Sequence, residues 1–145
     1  MKGKSKPSVL VCVTGQRDCD RLIRVGTQMA EESGACLQVL CVQPTANGFH
    51  VGGQEIEYLY QTTREAGAEM TIYFHDDAAL IAAGFVKQVN AHRVVTGMPD
   101  GRANGFVETI HQLVPKVTIS MVSKDETVYN MMPQQEPARR KPALA

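Results

Sequence analysis

The sequence predicts an α/β fold, a three-layer sandwich around a five-stranded parallel sheet, and three observations carry that expectation. Short β-branched apolar runs alternate with segments whose apolar residues recur at helical spacing. The runs are apolar on both faces, as strands covered by helices on both sides must be. Glycines and prolines stand where each element must stop. Parallel neighbours need right-handed crossovers, which place helices on both faces of the sheet.

Ser8 to Thr14 reads as the central strand, closed by Gly15. Asp18 is placed to cap a helix over Cys19 to Ser33, with Leu22, Ile23, Met29 and Ala30 as its apolar face and Gly34 as its stop. Cys36 to Val42 is the second strand, ended by Pro44, and the turn-rich residues 43 to 53 form the longest internal loop. Ile56, Leu59, Tyr60 and Thr63 then mark one face of a helix that closes at Gly67. Met70, Ile72 and Phe74 alternate with Thr71 and Tyr73 as a strand, after which Asp76 or Asp77 caps a helix with Leu80, Ile81, Gly84, Phe85 and Val89 apolar. Arg93 to Gly97 is strand four. Gly105 to Val114 is helical through Phe106, Ile110 and Leu113, Pro115 ends it, and Val117 to Val122 is strand five.

The 145 residues, 43% apolar and 21% charged, fit one domain with a moderate core. Residues 1–7 read as an N-terminal tail and residues 8–123 as the domain. Residues 124–145 are expected to be a disordered tail, because the apolar pattern stops near Lys124 and the end combines Pro133, Pro137 and Pro142 with Arg139-Arg140-Lys141. Fifteen basic and fifteen acidic residues cancel, and no stretch interleaves clustered cations with aromatics, so nucleic acid is not an expected partner. No apolar run reaches the roughly 18 residues that span a bilayer, and Met1 to Pro7 is polar where a secretory segment is apolar, so the expectation is a cytoplasmic protein without membrane insertion.

Cysteines at 12, 36 and 41 fall in or beside strand-like runs and read as small core hydrophobes, whereas Cys19, flanked by Asp18 and Asp20, reads as an inert surface thiol. There is no CxxC pair and the histidines at 50, 75, 92 and 111 are scattered, so no metal site is expected. Glu55 with Glu57, and Asp76 with Asp77, are the only close carboxylate sets, and both read as structural. With no nucleophile and base pairing and no P-loop pattern, no catalytic residue is assigned and the protein is not expected to be an enzyme.

The most suggestive stretch runs from Val94 to Val107: a strand, a loop punctuated by Gly97, Gly101 and Gly105, then an amphipathic segment. In an open α/β sheet such a loop lets an anion or nucleotide approach backbone N–H groups and a helix N-terminus. The expected binding crevice joins Thr14, Gly15 and Gln16 after strand one, Val42 at the end of strand two, and Gly97, Gly101, Arg102, Gly105, Phe106 and Val107. Arg102 is placed to neutralise one negative charge.

The order of elements, with Val9-Leu10-Val11-Cys12-Val13, Arg21-Leu22-Ile23-Arg24, Gly26, Gly34-Ala35, Gly67-Ala68-Glu69, Asp76-Asp77-Ala78 and Val94-Val95-Thr96-Gly97, resembles the universal stress protein family, most closely the stress-protein-like domain of KdpD-type potassium-sensor kinases. The likeness spans about residues 8–123. It implies a Rossmann-like fold of the adenine nucleotide alpha hydrolase type, a homodimer through the last strand, and a signalling or stress role serving a partner in signalling or transport. The ligands it implies are ATP or AMP, or cyclic di-AMP, with degenerate motifs. The family's ATP-binding members carry Gly-x2-Gly-x9-Gly-(Ser/Thr) and an Asp after strand one. Here Asp100 stands at the second glycine, seven residues separate Gly97 from Gly105, Phe106 replaces the hydroxyl residue and Thr14 replaces the Asp. For cyclic di-AMP the matching residues are Cys12, Thr14 and Gln16, then Leu37-Gln38-Val39-Leu40-Cys41, where the aromatic is missing. The other function compatible with this pattern is a dimerising interaction domain that needs no ligand.

Overall fold

The computed structural model describes residues 6–45, 53–99 and 105–133. Its elements are β1 (Ser8–Val13), a single 3-10 turn (Arg17–Cys19), α1 (Asp20–Ser33), β2 (Cys36–Gln43), α2 (Gly53–Glu65), β3 (Glu69–Phe74), α3 (Ala78–Gln88), β4 (Ala91–Gly97), α4 (Phe106–Leu113), β5 (Thr118–Val122) and β6 (Val128–Met131). The sheet order is β3-β2-β1-β4-β5-β6, parallel from β3 to β5, with β6 antiparallel against β5. The α/β sandwich is as expected, with one strand more than the sequence pattern suggested.

β1 is buried along its whole length, and its alternate side chains feed two separate cores. Leu10 and Cys12 face α3 and α4, among Ala82, Val86, Val94, Ile110 and Ile119. Val9, Val11 and Val13 face α1 and α2, among Leu22, Ile23, Val39, Leu59 and Val95. This is the period-two consequence of a strand covered on both sides.

Several expectations are corrected by the way the helices dock. Asp18 does not cap α1: the 3-10 turn makes Cys19 the N-cap, no side chain serves there, and the Asp18 carboxylate is engaged elsewhere. Gly34 does end α1, in the left-handed region at φ 69°. Asp77 rather than Asp76 caps α3, accepting from Leu80 N–H at 3.1 Å. Asp76 instead ties the end of β2 to the end of β3 by accepting from both the N–H and the hydroxyl of Thr45, which holds its carboxyl below the usual range.

On α3 the core stripe is Ala79, Ala82, Ala83, Phe85 and Val86, while Leu80 is half exposed and Gly84 faces solvent. Alanines let α3 approach the sheet closely, and the larger Leu80 turns outward. On α2 Leu59 and Thr63 are buried but Tyr60 lies at the surface beneath Arg64. On α4 the inward residues are Val107, Ile110 and, just past its end, Val114, while Leu113 is exposed. β3 is an edge strand, so Ile72, Tyr73 and Phe74 are partly exposed despite their alternation. Cys19 is buried and Cys36 only half-buried, the reverse of what the sequence suggested.

The chain also continues past Lys124 in ordered form. Ser123 N–H and Thr127 carbonyl pair across a turn in which Glu126 is left-handed, and β6 follows. β5 is therefore an interior strand, and β6 occupies the edge expected of it. Arg93, Ser120 and Asn130 hydrogen-bond across β4, β5 and β6, with Arg93 Nη1 to Ser120 Oγ at 2.6 Å. Residues 134–145 lie outside the described residues.

α1 crosses β1 at Gly26, where an added Cβ would meet Val11 Cγ2 at 2.3 Å. Val11 is a fully buried, β-branched strand residue that cannot move aside. Ala gains about 1 kcal/mol of helix propensity over Gly, but overpacking a tight core costs about 1–3 kcal/mol. Gly26→Ala is expected to lower the unfolding free energy by up to about 2 kcal/mol, read as a fall in the urea midpoint at unchanged slope; a rise would show that α1 and β1 can separate.

Candidate functional site

The chain runs from β1 to β2 and β3 in one direction, then returns to place β4 on the other side of β1. Crossovers leave opposite faces at this reversal, so the carboxyl ends of β1 and β4 diverge and open a crevice. A cavity of about 510 Å³ lies there. Its walls come from the ends of β1 (Cys12, Val13, Thr14), β4 (Thr96, Gly97) and β2 (Leu40, Val42), with the first turn of α4 (Phe106, Val107) opposite.

Of the ten residues expected to form the site, Thr14, Gln16, Val42, Gly97, Phe106 and Val107 line this cavity. Two act behind it. Gly105 is the N-cap of α4 at φ 79°, offering no side chain to that helix end. Gly15 turns the chain out of β1 at φ 108°, packed so that a Cβ would lie 3.0 Å from Gln43 Nε2. That amide donates to the Thr14 carbonyl at 2.9 Å, fixing the turn from the end of β2. Gly101 and Arg102, with Asp100, lie outside the described residues.

Three charged residues in the cavity wall are not anticipated by the sequence reading: Asp18, Arg21 and Lys124. Arg21 is 9% exposed. Its guanidinium donates from Nε to the Ser123 carbonyl at 2.9 Å, from Nη1 to the Asp18 carbonyl at 2.9 Å and from Nη2 to the Val122 carbonyl at 3.2 Å. It thereby joins the start of α1 to the end of β5, and it packs beneath Gly97, whose absent Cβ would come within 3.4 Å of Nη2. The Asp18 carboxylate lies 3.4 Å from Arg21 Nη1 and 3.5 Å from Lys124 Nζ. Two cations against one carboxylate leave the described lining with a single surplus positive charge.

No local signal in the sequence separates Arg21 from Arg24. Three residues along the same helix, Arg24 is a surface group paired with Glu126 at 2.7 Å. The opposite face of the helix start is set by Tyr58, which donates to Asp20 at 2.6 Å and lies under the Arg17 guanidinium at 3.9 Å.

Cys12 and Cys19 also border the cavity. Burial, with Cys41 adding to it, pushes the Cys12 thiol up to about 12, and burial chiefly raises Cys41 as well. Burial thus keeps Cys12 and Cys41 protonated at physiological pH. Among the described residues no histidine lines the cavity and no cluster of His, Cys, Asp or Glu could hold a metal ion. No helix among them is long and apolar enough to cross a membrane. The arrangement brings together hydroxyl and amide groups, an apolar wall, the first turn of α4 and, in the described lining, a net positive charge.

No family model matches this sequence and no curated protein matches it. Solved structures do share its fold. A universal stress protein in complex with cAMP is 16% identical, with a TM-score of 0.59, over 83% of this chain and 99% of that one. A universal stress protein from Archaeoglobus fulgidus in complex with dAMP is 16% identical, with a TM-score of 0.57, over 79% of this chain and 94% of the other. A member of the family from Burkholderia pseudomallei is 14% identical, with a TM-score of 0.60, over 83% and 98% respectively. At these identities the likeness is one of fold.

Two outcomes follow from the site's geometry. Arg21→Met removes three hydrogen bonds, with the Val122 carbonyl keeping only that from Met98 N–H, and should cost about 2–4 kcal/mol by denaturant unfolding; Arg21→Lys should recover less than half, since an ammonium cannot fork to all three. Cys12 is held neutral in the fold but ionises near its ordinary value of 9 once unfolded. Its contribution is whole below that pH and is lost as pH rises toward about 12. Timed alkylation of native protein at pH 8 should therefore modify half-buried Cys36 before Cys12, and early labelling of Cys12 would contradict its burial.

Proposed function

We propose that this chain, built on the universal stress protein fold, is a non-enzymatic regulatory module that takes an adenine nucleotide or a similar phosphate-bearing small molecule in the cavity between the ends of β1 and β4. The observation that carries this reading is the cavity itself. About 510 Å³ at the strand-order reversal brings hydrogen-bonding groups of Thr14 and Gln16, apolar Val42 and Phe106 and a net positive charge into one enclosure. The fold's occurrence in structures with cAMP and dAMP bound supports the choice of an adenine ring.

The ligand is held differently from the family's usual ATP pose. Phe106 brings an aromatic ring and no hydroxyl to the start of α4, and Thr14 brings a hydroxyl where the family has a carboxylate. Charge in the described wall comes instead from Arg21 and Lys124. The likeness in sequence to the sensor-kinase module supports a partner protein in signalling or transport as the recipient of the bound state.

A second reading, pairing of two copies through the sheet, rests on β6. Among the described residues β6 hydrogen-bonds on one side only, with Tyr129 48% exposed. An open edge strand is a template for another strand.

At nucleotide tenfold above its Kd, stabilisation of about 1.4 kcal/mol should raise Tm by about 5 °C for a domain of this size, with AMP, cAMP and ATP compared. No shift with any of them at millimolar concentration removes the nucleotide reading. Phosphate release from ATP should equal that of buffer, and light scattering should show a dimer if β6 pairs; a monomer at high concentration removes the second reading.

A further inference from the structure

The Asp18 carboxylate is engaged by two cations rather than by a helix end. It does not cap α1, and Arg21 is already fixed by three carbonyls, one of them the main-chain oxygen of Asp18 itself. The carboxylate nevertheless stands between the two cations of the cavity wall, at 3.4 Å from Arg21 and 3.5 Å from Lys124. Both distances are long against the roughly 2.7–2.9 Å of a charge-assisted hydrogen bond, and the side chains of Asp18 and Lys124 are 48% and 82% exposed. A group so loosely held in so open a position is displaceable.

We propose that Asp18 is a built-in counter-ion, which competes with the anionic group of a ligand for Arg21 and Lys124 and so sets how strongly the cavity prefers charged over neutral molecules. With its carboxylate turned aside, Arg21 Nη1 and Lys124 Nζ face the same space and a phosphoryl oxygen takes the place of the carboxylate oxygen between them. The ligand pays for displacing one ion pair and gains a more highly charged partner. Weak phosphate binding and little discrimination between a nucleotide and its nucleoside are then properties of the native site, tuned by one residue. The identity of the nucleotide rests on the reading above, whereas the competition for the two cations does not.

The test is titration calorimetry of wild type, Asp18→Asn and Lys124→Gln with adenosine, AMP and inorganic phosphate. Asp18→Asn keeps the backbone carbonyl that holds Arg21, so the fold is expected to persist, and circular dichroism checks it. At about 50 mM salt, AMP and phosphate should bind Asp18→Asn about three- to tenfold more tightly than wild type, with adenosine unchanged. Raising salt to about 500 mM should erase most of that gain. Lys124→Gln should weaken AMP and leave adenosine unchanged, and in the double variant the gain from Asp18→Asn should shrink.

An AMP to adenosine ratio that is unchanged or lower in Asp18→Asn overturns the proposal; loss of both ligands together would show that the carboxylate holds a ligand hydroxyl instead. Tighter phosphate binding in the variant with no binding of adenosine or AMP by any protein supports the counter-ion and removes the nucleotide reading. Failure of Asp18→Asn to bind either AMP or phosphate better than wild type overturns the counter-ion outright.

Discussion

The double burial of β1 is the constraint on which the rest of this molecule depends. A strand covered on both faces and hydrogen-bonded on both edges must be apolar wherever a side chain has no polar partner: Val9, Leu10 and Val11 are wholly inaccessible, and buried Ser8 donates its hydroxyl to the Val89 carbonyl. Each neighbouring element is arranged by it. Gly26 lets α1 descend onto Val11, and the alanines of α3 let that helix come down on the other side. Because β2 and β4 lie on either edge of β1, the chain must reverse its strand order there, and the crevice at the carboxyl end is the geometric result. The cavity is thus a by-product of how the core is closed.

Much of this architecture is legible in the sequence, since period and punctuation report burial directly. β1, β2, β4 and β5 announce themselves by β-branched runs, and Gly34 marks the end of α1. Helix faces differ from the sequence pattern for a steric reason: apolar size marks a face in the sequence, whereas close approach selects small residues in the fold. Leu80 and Leu113 turn outward, and Ala79, Ala82 and Val107 turn inward. β6 left no pattern because a four-residue edge strand carrying Tyr129 and Asn130 has only one neighbour to satisfy. Asp18 looked like a cap because Asp before a helix usually is one, but the 3-10 turn moved the helix start past it.

The candidate site divides along a similar line. Residues at strand ends and beside the glycine loop could be placed because an α/β sheet binds at its carboxyl edge. Arg21 could not, since its meaning lies in carbonyls about a hundred positions away, and an isolated arginine in a helix carries no sign of that. Lys124 was assigned to a tail because nothing local distinguishes a turn residue facing a cavity from one facing solvent. Sequence spacing points to the crevice, and only tertiary contact reveals the charges in its wall.

The Arg21 clamp also carries a consequence for the order in which the molecule assembles. It joins the start of the first helix to the end of the fifth strand, bridging separations of 101 and 102 residues. Closure of so long a span is entropically costly and slow compared with local pairings. The β1–β2 and β2–β3 crossovers can form without it, whereas the wall holding Ser123 and Lys124 must await β5. The cavity wall is accordingly completed late in folding, only once nearly the whole domain is available to close the Arg21 clamp.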